Sequence, residues 1–220
     1  MEILALSRHF PFPPTQGSSR RLSAVLAALS DQHNVSLLSF TKNLSLSVKH
    51  VADAPGSLRR VKVLETKSPE RYLRAAGALL SGGTPLGCST YLSSGMIKEV
   101  RHALQSTTFD GAYVFDIKMA PYIRYLPPMK VFVDLDISYS RYYSRQAELE
   151  GSARRLLYTF ESRRMKKYEE SVIRAATLCF ICSDREKELF PRHHHEKIHV
   201  LRNVIDIGEF PCRTSSPDTR

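Results

Sequence analysis

Short apolar runs alternate with helix-period patterns along most of this chain, and that alternation constrains its fold more than any other feature. Ile3 to Ser7, Val35 to Phe40, Val61 to Leu64, Ala112 to Phe115, Val131 to Leu135, Thr177 to Ser183 and Ile198 to Leu201 each read as a strand. Between the first two, Leu22, Val25, Leu26 and Leu29 recur at helical spacing and place a helix over Ser18 to Ser30. Further helical patterns cover Pro69 to Leu80, Ser93 to Leu104 and Ala153 to Ala175, with shorter ones at Met119 to Tyr125 and Asp184 to Phe190. Alternation of this kind builds βαβ units around a parallel sheet. The expectation is an α/β chain with a single Rossmann-like, doubly wound parallel sheet over residues 1–207 and a polar tail over 208–220.

Charge narrows the partners. The chain has 32 basic and 22 acidic residues, a net charge of +10, which favours anionic partners such as nucleic acid, acidic lipid headgroups or phosphorylated small molecules. The basic residues are not interleaved with an aromatic stacking platform, which argues against nucleic acid. The densest basic run (Arg154, Arg155, Arg163, Arg164, Lys166, Lys167, interrupted by Glu161) lies on the longest helix. Leu156, Leu157, Phe160, Arg164 and Tyr168 fall near one of its faces, so that face is only partly apolar. The C-x-x-C of Cys179 and Cys182 lies inside the apolar TLCFICS, as core thiols do. His193, His194 and His195 are adjacent and cannot all face one ion, so no metal site is expected. No apolar run approaches the roughly 20 residues of a spanning helix. The opening MEILALS carries Glu2 and runs into a proline-rich turn, unlike a secretory signal, which makes a cytoplasmic location the expectation.

Open parallel sheets bind ligands beyond the carboxyl ends of their strands. Three segments lie there. Ser7 through Gly17 follows the first strand and feeds a helix N-terminus, whose unpaired N–H groups favour an anion. It has neither the Walker nor the G-x-G-x-x-G spacing. Asp134-Leu135-Asp136 ends the fifth strand with two carboxylates two apart, hence on the same side, suited to acid–base work, to holding a sugar hydroxyl or to capping the next helix. Arg202 to Phe210 follows the last strand.

In this order the three segments resemble the N-terminal domain of family-4-type glycosyltransferases, most closely the bacterial sugar transferases of exopolysaccharide and exosortase systems. Their first loop reads H-R-x-P-[YF]-P-P-x-x-G-x-x-x-R; this chain has Arg8-His9-Phe10-Pro11-Phe12-Pro13-Pro14-Thr15-Gln16-Gly17, with the His–Arg order swapped and Arg21 four residues on. Asp134-Leu135-Asp136, then Ile137 where an acid is common, then Ser140-Arg141-Tyr142, match the middle motif. Glu161, Arg164, Tyr168 and Glu169 match a helix motif E-x-x-R-x-x-x-Y-E. Asn203, Asp206 and Phe210 match the closing P-N-G-V-D-x-x-x-F, with Arg202 replacing proline, Val204 replacing glycine and Ile205 replacing valine.

The resemblance implies the GT-B arrangement of two Rossmann-like domains across a cleft, of which this chain is the N-terminal, acceptor-side half. The C-terminal, donor-binding half would begin where the sequence closes, and the chain alone is expected to have little or no activity. The implied reaction is a retaining transfer of sugar from a nucleotide-sugar donor, with no metal or other cofactor, to a glycan or lipid-linked acceptor. Asp134 and Asp136 are the implied catalytic residues, and Gly17, Arg21, Arg8 and Asn203 the implied substrate-binding ones. The alternative is an inactive truncated relative that binds an anionic membrane or a partner protein through its basic helix.

Overall fold

The computed structural model describes residues 1–54, 58–66, 77 and 83–203. All seven expected strands are present: β1 Glu2–Ser7, β2 Asn34–Thr41, β3 Leu58–Glu65, β4 Gly111–Phe115, β5 Lys130–Asp136, β6 Leu178–Ile181 and β7 Ile198–Val200. They form one parallel sheet in the order β3-β2-β1-β4-β5-β6-β7. The helices are α1 Gly17–Ser30, α2 Leu44–Lys49, α3 Leu86–Ser89, α4 Ser94–Ser106, α5 Tyr139–Leu149, α6 Ser152–Ala175 and α7 Asp184–Lys187, with a 3-10 helix over Ile117–Tyr125. This is the single Rossmann-like, doubly wound α/β sheet that the alternation of elements calls for.

Strand periodicity explains the two cores. Successive side chains of a strand point to opposite faces, so Leu4 and Leu6 enter one core while Ile3 and Ala5 enter the other. The first core packs Met96 and Val100 of α4, Met119 of the 3-10 helix and Met165 and Ile173 of α6 on Val114 and Val133. The second packs Leu22 and Leu26 of α1 on Val35 and Leu37. Strands covered on both faces need near-continuous apolar runs, which is why β1 and β2 do not alternate with charged residues. β3, at the edge, does carry charge: Arg60 and Lys62 face Glu99 of α4 at 3.9 and 3.5 Å.

The sheet order doubles back between β1 and β4. β1 leads outward to β2 and β3, then the chain crosses to the other side of β1. Such a switch point opens a crevice at the carboxyl ends of the strands.

The structure corrects several local expectations. α5 is a helix that the sequence pattern does not announce; Ser138 caps it by accepting from the Arg141 N–H at 3.3 Å, and Ser140 fixes it to Glu169 of α6. On α6 the buried residues are Glu161, Met165, Glu169, Val172 and Ile173, while Leu156, Leu157 and Phe160 are exposed. β6 ends at Ile181, and Ser183 caps α7 by accepting from the Glu186 N–H at 3.2 Å. Cys179 is a buried free thiol in β6, and Cys182 a free thiol beyond its end. The helical pattern over 69–80 falls outside the described residues except at 77, as do Val204, Asp206, Phe210 and the tail.

Candidate functional site

The carboxyl ends of β1, β4, β5 and β7 bring together Arg8, Arg21, Asp116, Asp134 and Asp136. Two of these ends carry a carboxylate on unusual backbone: Asp116, just past β4, has φ 76°, and Asp136, the last residue of β5, has φ 61°. The left-handed region disfavours side chains, asparagine and aspartate least. Backbone held there concentrates at functional edges.

Asp116 organises the switch point. Its carboxylate pairs with the Arg8 guanidinium and accepts the Tyr139 hydroxyl at 2.7 Å and the Lys118 N–H at 2.9 Å. Burial alone would lower the Arg8 pKa, but the charge of Asp116 reverses it and raises the value further above the ordinary range. Lys118 Nζ lies 4.1 Å from the Tyr139 ring centroid, and burial lowers its pKa against the pull of Asp116.

Arg21 organises the neighbouring ends. From the second turn of α1 its Nε and Nη2 donate to the two oxygens of Asp134, both at 2.9 Å, the bidentate geometry that suits guanidinium to carboxylate. Nη1 donates to the Leu201 carbonyl and to Asn203 Oδ1, the latter at 3.0 Å. Asp134 also accepts the Tyr113 hydroxyl at 2.7 Å and the Asp136 N–H at 3.0 Å. Both members of the pair are almost wholly buried. Burial would lower the Arg21 pKa; the hydrogen bond and charge of Asp134 outweigh it and the shift is upward. One arginine thus ties α1 to β5 and to the segment after β7.

Asp136 stands differently. A register irregularity with β6 follows Asp134, and the Asp136 carboxylate comes only to 3.9 Å of Arg21 Nε, retaining partial exposure. Burial raises its pKa, with Arg21 opposing and Asp134 and Asp116 reinforcing. Of the two carboxylates, Asp136 is the one a ligand can reach.

A cavity of about 270 Å³ opens at Arg8, lined also by His9, Gln16, Ser18, Ser19, Lys42 and Tyr91 among others. It is bounded by the start of α1, so helix N–H groups and two cations give it positive potential. Gly17 begins α1, is exposed, and a Cβ built there would meet nothing within 4 Å. The fold therefore does not need glycine at this position, and its bare backbone leaves room for a ligand to approach. His9 has both ring nitrogens buried without a partner among the described residues, and its ring meets Phe115 edge-on at 5.7 Å. Burial, helped by the Arg8 charge, lowers its pKa to about 4, so the imidazole is neutral at pH 7.

The six sequence-derived residues thus divide. Arg21, Asp134, Asp136 and Asn203 share one network. Arg8 belongs to the cavity and to Asp116, and Gly17 lies at the start of α1. Sequence reasoning does not pick out His9 as a site residue, and misses Asp116, Lys118 and Tyr139 altogether. The position of Asp116 directly after a strand is the signal that could have found it, since the strand-end rule applies to β4 as it does to β5.

No protein-family model matches the chain, and no match is found among curated proteins. Its fold is similar to that of a UDP-glucosyltransferase from Polygonum tinctorium capable of glucosylating indoxyl, solved with 3,4-dichloroaniline. That match has a TM-score of 0.53 at 11% identity, over 91% of this chain and 52% of the other. Phytolacca americana UGT2, complexed with UDP-2-fluoro-glucose and pterostilbene, gives a TM-score of 0.52 at 9% identity, over 92% of this chain and 54% of that one. The chain therefore spans about half the length of each and shares its fold over that half.

Proposed function

We propose that this chain is the acceptor-side half of a GT-B glycosyltransferase that moves a sugar from a nucleotide-sugar donor to a glycan or lipid-linked acceptor. The observation that carries the reading is the cavity at the start of α1. There Arg8, Lys42 and the first helix N–H groups converge beside a neutral imidazole, on a fold shared with a UDP-glucosyltransferase and with a protein complexed with UDP-2-fluoro-glucose.

Transfer from a nucleotide sugar develops negative charge on the departing diphosphate, and fixed donors aimed at that charge lower the barrier most. Helix N–H groups at Gly17 and Ser18 supply such donors, with Lys42 and Arg8 as flanking charges. Asp136 is the group that orients the acceptor hydroxyl, and His9, neutral, lines the wall of the cavity. Asp134 and Arg21 act at one remove: their buried pair, with Asn203, positions the segment that leaves β7. The donor-binding half completes the cleft, in the same polypeptide or in trans. A role in exopolysaccharide synthesis at the cytoplasmic side of the membrane, with retention of configuration, follows from the motif resemblance.

Calorimetric titration with UDP-glucose and with inorganic pyrophosphate tests this reading. Both bind, and Lys42→Ala weakens both by about 2–5-fold, the range for one charge at a helix start. Equal affinity in wild type and Lys42→Ala, or no binding of either probe, contradicts it.

A further inference from the structure

Four of the eight exposed large apolar side chains of the described residues, the two most exposed among them, are gathered on one protrusion. α6 has 24 residues, about 36 Å of helix, whereas the seven residues of β5 span about 23 Å. α5 leaves the carboxyl edge of the sheet directly after β5, and α6 must return to the opposite edge to enter β6, so the hairpin overshoots the sheet by roughly 10 Å. Its tip stands clear: the first nine residues of α6 include no buried side chain, and burial begins at Glu161, which accepts the Gly87 N–H at 2.9 Å.

The tip is amphipathic in the wrong direction for a protein surface. Leu149 is 81% exposed and Leu156 73%, with Leu157 and Phe160 about half exposed. Ala153, Leu156, Leu157 and Phe160 follow at i, i+3, i+4 and i+7, one continuous helix stripe. Arg154, which also pairs with Glu150 at 3.5 Å, and Arg163 fall on its two borders. Apolar side chains in a row between arginines match a boundary between hydrocarbon and anionic headgroups.

We infer that the α5–α6 tip docks the protein on a bilayer containing anionic phospholipid, with Leu149, Leu156, Leu157 and Phe160 in the acyl boundary and the arginines at the phosphates. A second copy fits less well, because both copies carry a net charge of +10 and would meet arginine to arginine. Among the described residues no helix is long and apolar enough to cross a membrane, so the contact is interfacial. The tip and the cavity share the carboxyl edge of the sheet, so docking brings the cleft to the membrane surface. That this serves a lipid-linked acceptor rests on the proposed transferase function; the docking itself does not.

Vesicle sedimentation of the full chain, with phosphatidylcholine alone and with added phosphatidylglycerol, tests the inference. Wild type binds only the anionic vesicles, and high salt weakens the binding. Leu156→Glu/Leu157→Glu lowers it by about tenfold or more, and Arg154→Ala and Arg163→Ala by about fivefold each. These residues are exposed, so the thermal midpoint of each variant stays at the wild-type value. The sequence has no tryptophan, so Phe160→Trp introduces a lone reporter whose emission shifts to the blue on anionic vesicles. Absence of wild-type binding, full binding by the double glutamate variant, or an unshifted emission from the Phe160→Trp variant on vesicles that sediment it overturns the inference. Loss of pyrophosphate and UDP-glucose binding with vesicle binding intact would instead remove the transferase reading and leave the docking standing.

Discussion

Arg21→Met is expected to destabilise the fold by about 3–5 kcal/mol, because it strands the Asp134 carboxylate in the sheet with no cation. In a domain of this size that lowers the thermal midpoint by roughly 10 °C. Asp134→Leu should cost a similar amount, for it leaves the guanidinium buried beside the Tyr113 hydroxyl. The double variant Arg21→Met/Asp134→Leu should be more stable than either single one, since two apolar side chains leave no uncompensated charge. Chemical denaturation of the three variants reads this directly. A loss below about 1 kcal/mol for Arg21→Met would show that the pair behaves like a surface ion pair, and the frame that joins α1 to β5 and β7 would have to be abandoned.

The second large effect is pH-dependent and belongs to Glu169. This carboxyl on α6 is buried, and burial raises its pKa to about 7, against the pull of hydrogen bonds from the Ser140 hydroxyl at 2.6 Å and the Ser140 N–H at 3.0 Å. Its folded pKa exceeds its unfolded value of 4.5, so below 4.5 its contribution is fully present. As pH rises from 4.5 through 7 the unfolded chain releases a proton that the folded one keeps, and about 3 kcal/mol of stability is lost. Glu169→Gln removes that dependence, so the variant should gain on wild type by about that amount between pH 5 and 8. His9 acts in the opposite sense: its folded pKa is about 4, so its contribution increases as pH rises from 4 towards 6.5. The variant must therefore be compared with wild type at each pH. A constant difference across that window would refute a buried, largely protonated Glu169.

Much of this molecule is legible in its sequence because strand burial and helix spacing are local. The central strands carry apolar runs, the edge strand β3 alternates Val61 and Val63 with Arg60 and Lys62, and α1 shows its stripe at Leu22, Leu26 and Leu29. α6 shows where such reading stops. Its buried stripe contains Glu161 and Glu169, which a search for apolar spacing passes over, while the conspicuous Leu156, Leu157 and Phe160 belong to the exposed tip. Burial of the glutamates is made tolerable by donors from elsewhere, Gly87 and Ser140, which are distant in sequence. α5 is similarly non-local: Tyr139, Tyr142 and Tyr143 give it no simple stripe, and its contacts with α6 make it a helix.

The candidate site divides in the same way. Strand ends and a glycine before a helix direct attention to Gly17, Asp134 and Asp136. Which aspartate is accessible is not a matter of spacing. It depends on Arg21, 113 residues from Asp134 in the chain, and on the left-handed backbone of Asp136. The neutral state of His9 likewise depends on its burial and on Arg8, so an ordinary-looking histidine becomes notable only in the folded cavity.

The proposed function makes the start of α1 and the adjoining cavity the anion-binding wall of a sugar-nucleotide cleft. Amide NMR of the ¹⁵N-labelled chain titrated with UDP-glucose tests it most directly, since weak binding to half of a cleft still moves the resonances of the residues it touches. Saturable shifts at Gly17, Ser18, Ser19 and Lys42, reproduced by pyrophosphate and saturating at a few-fold higher ligand concentration in Lys42→Ala, are the predicted result. Saturable shifts confined to other surfaces, or none with either ligand, would contradict the claim.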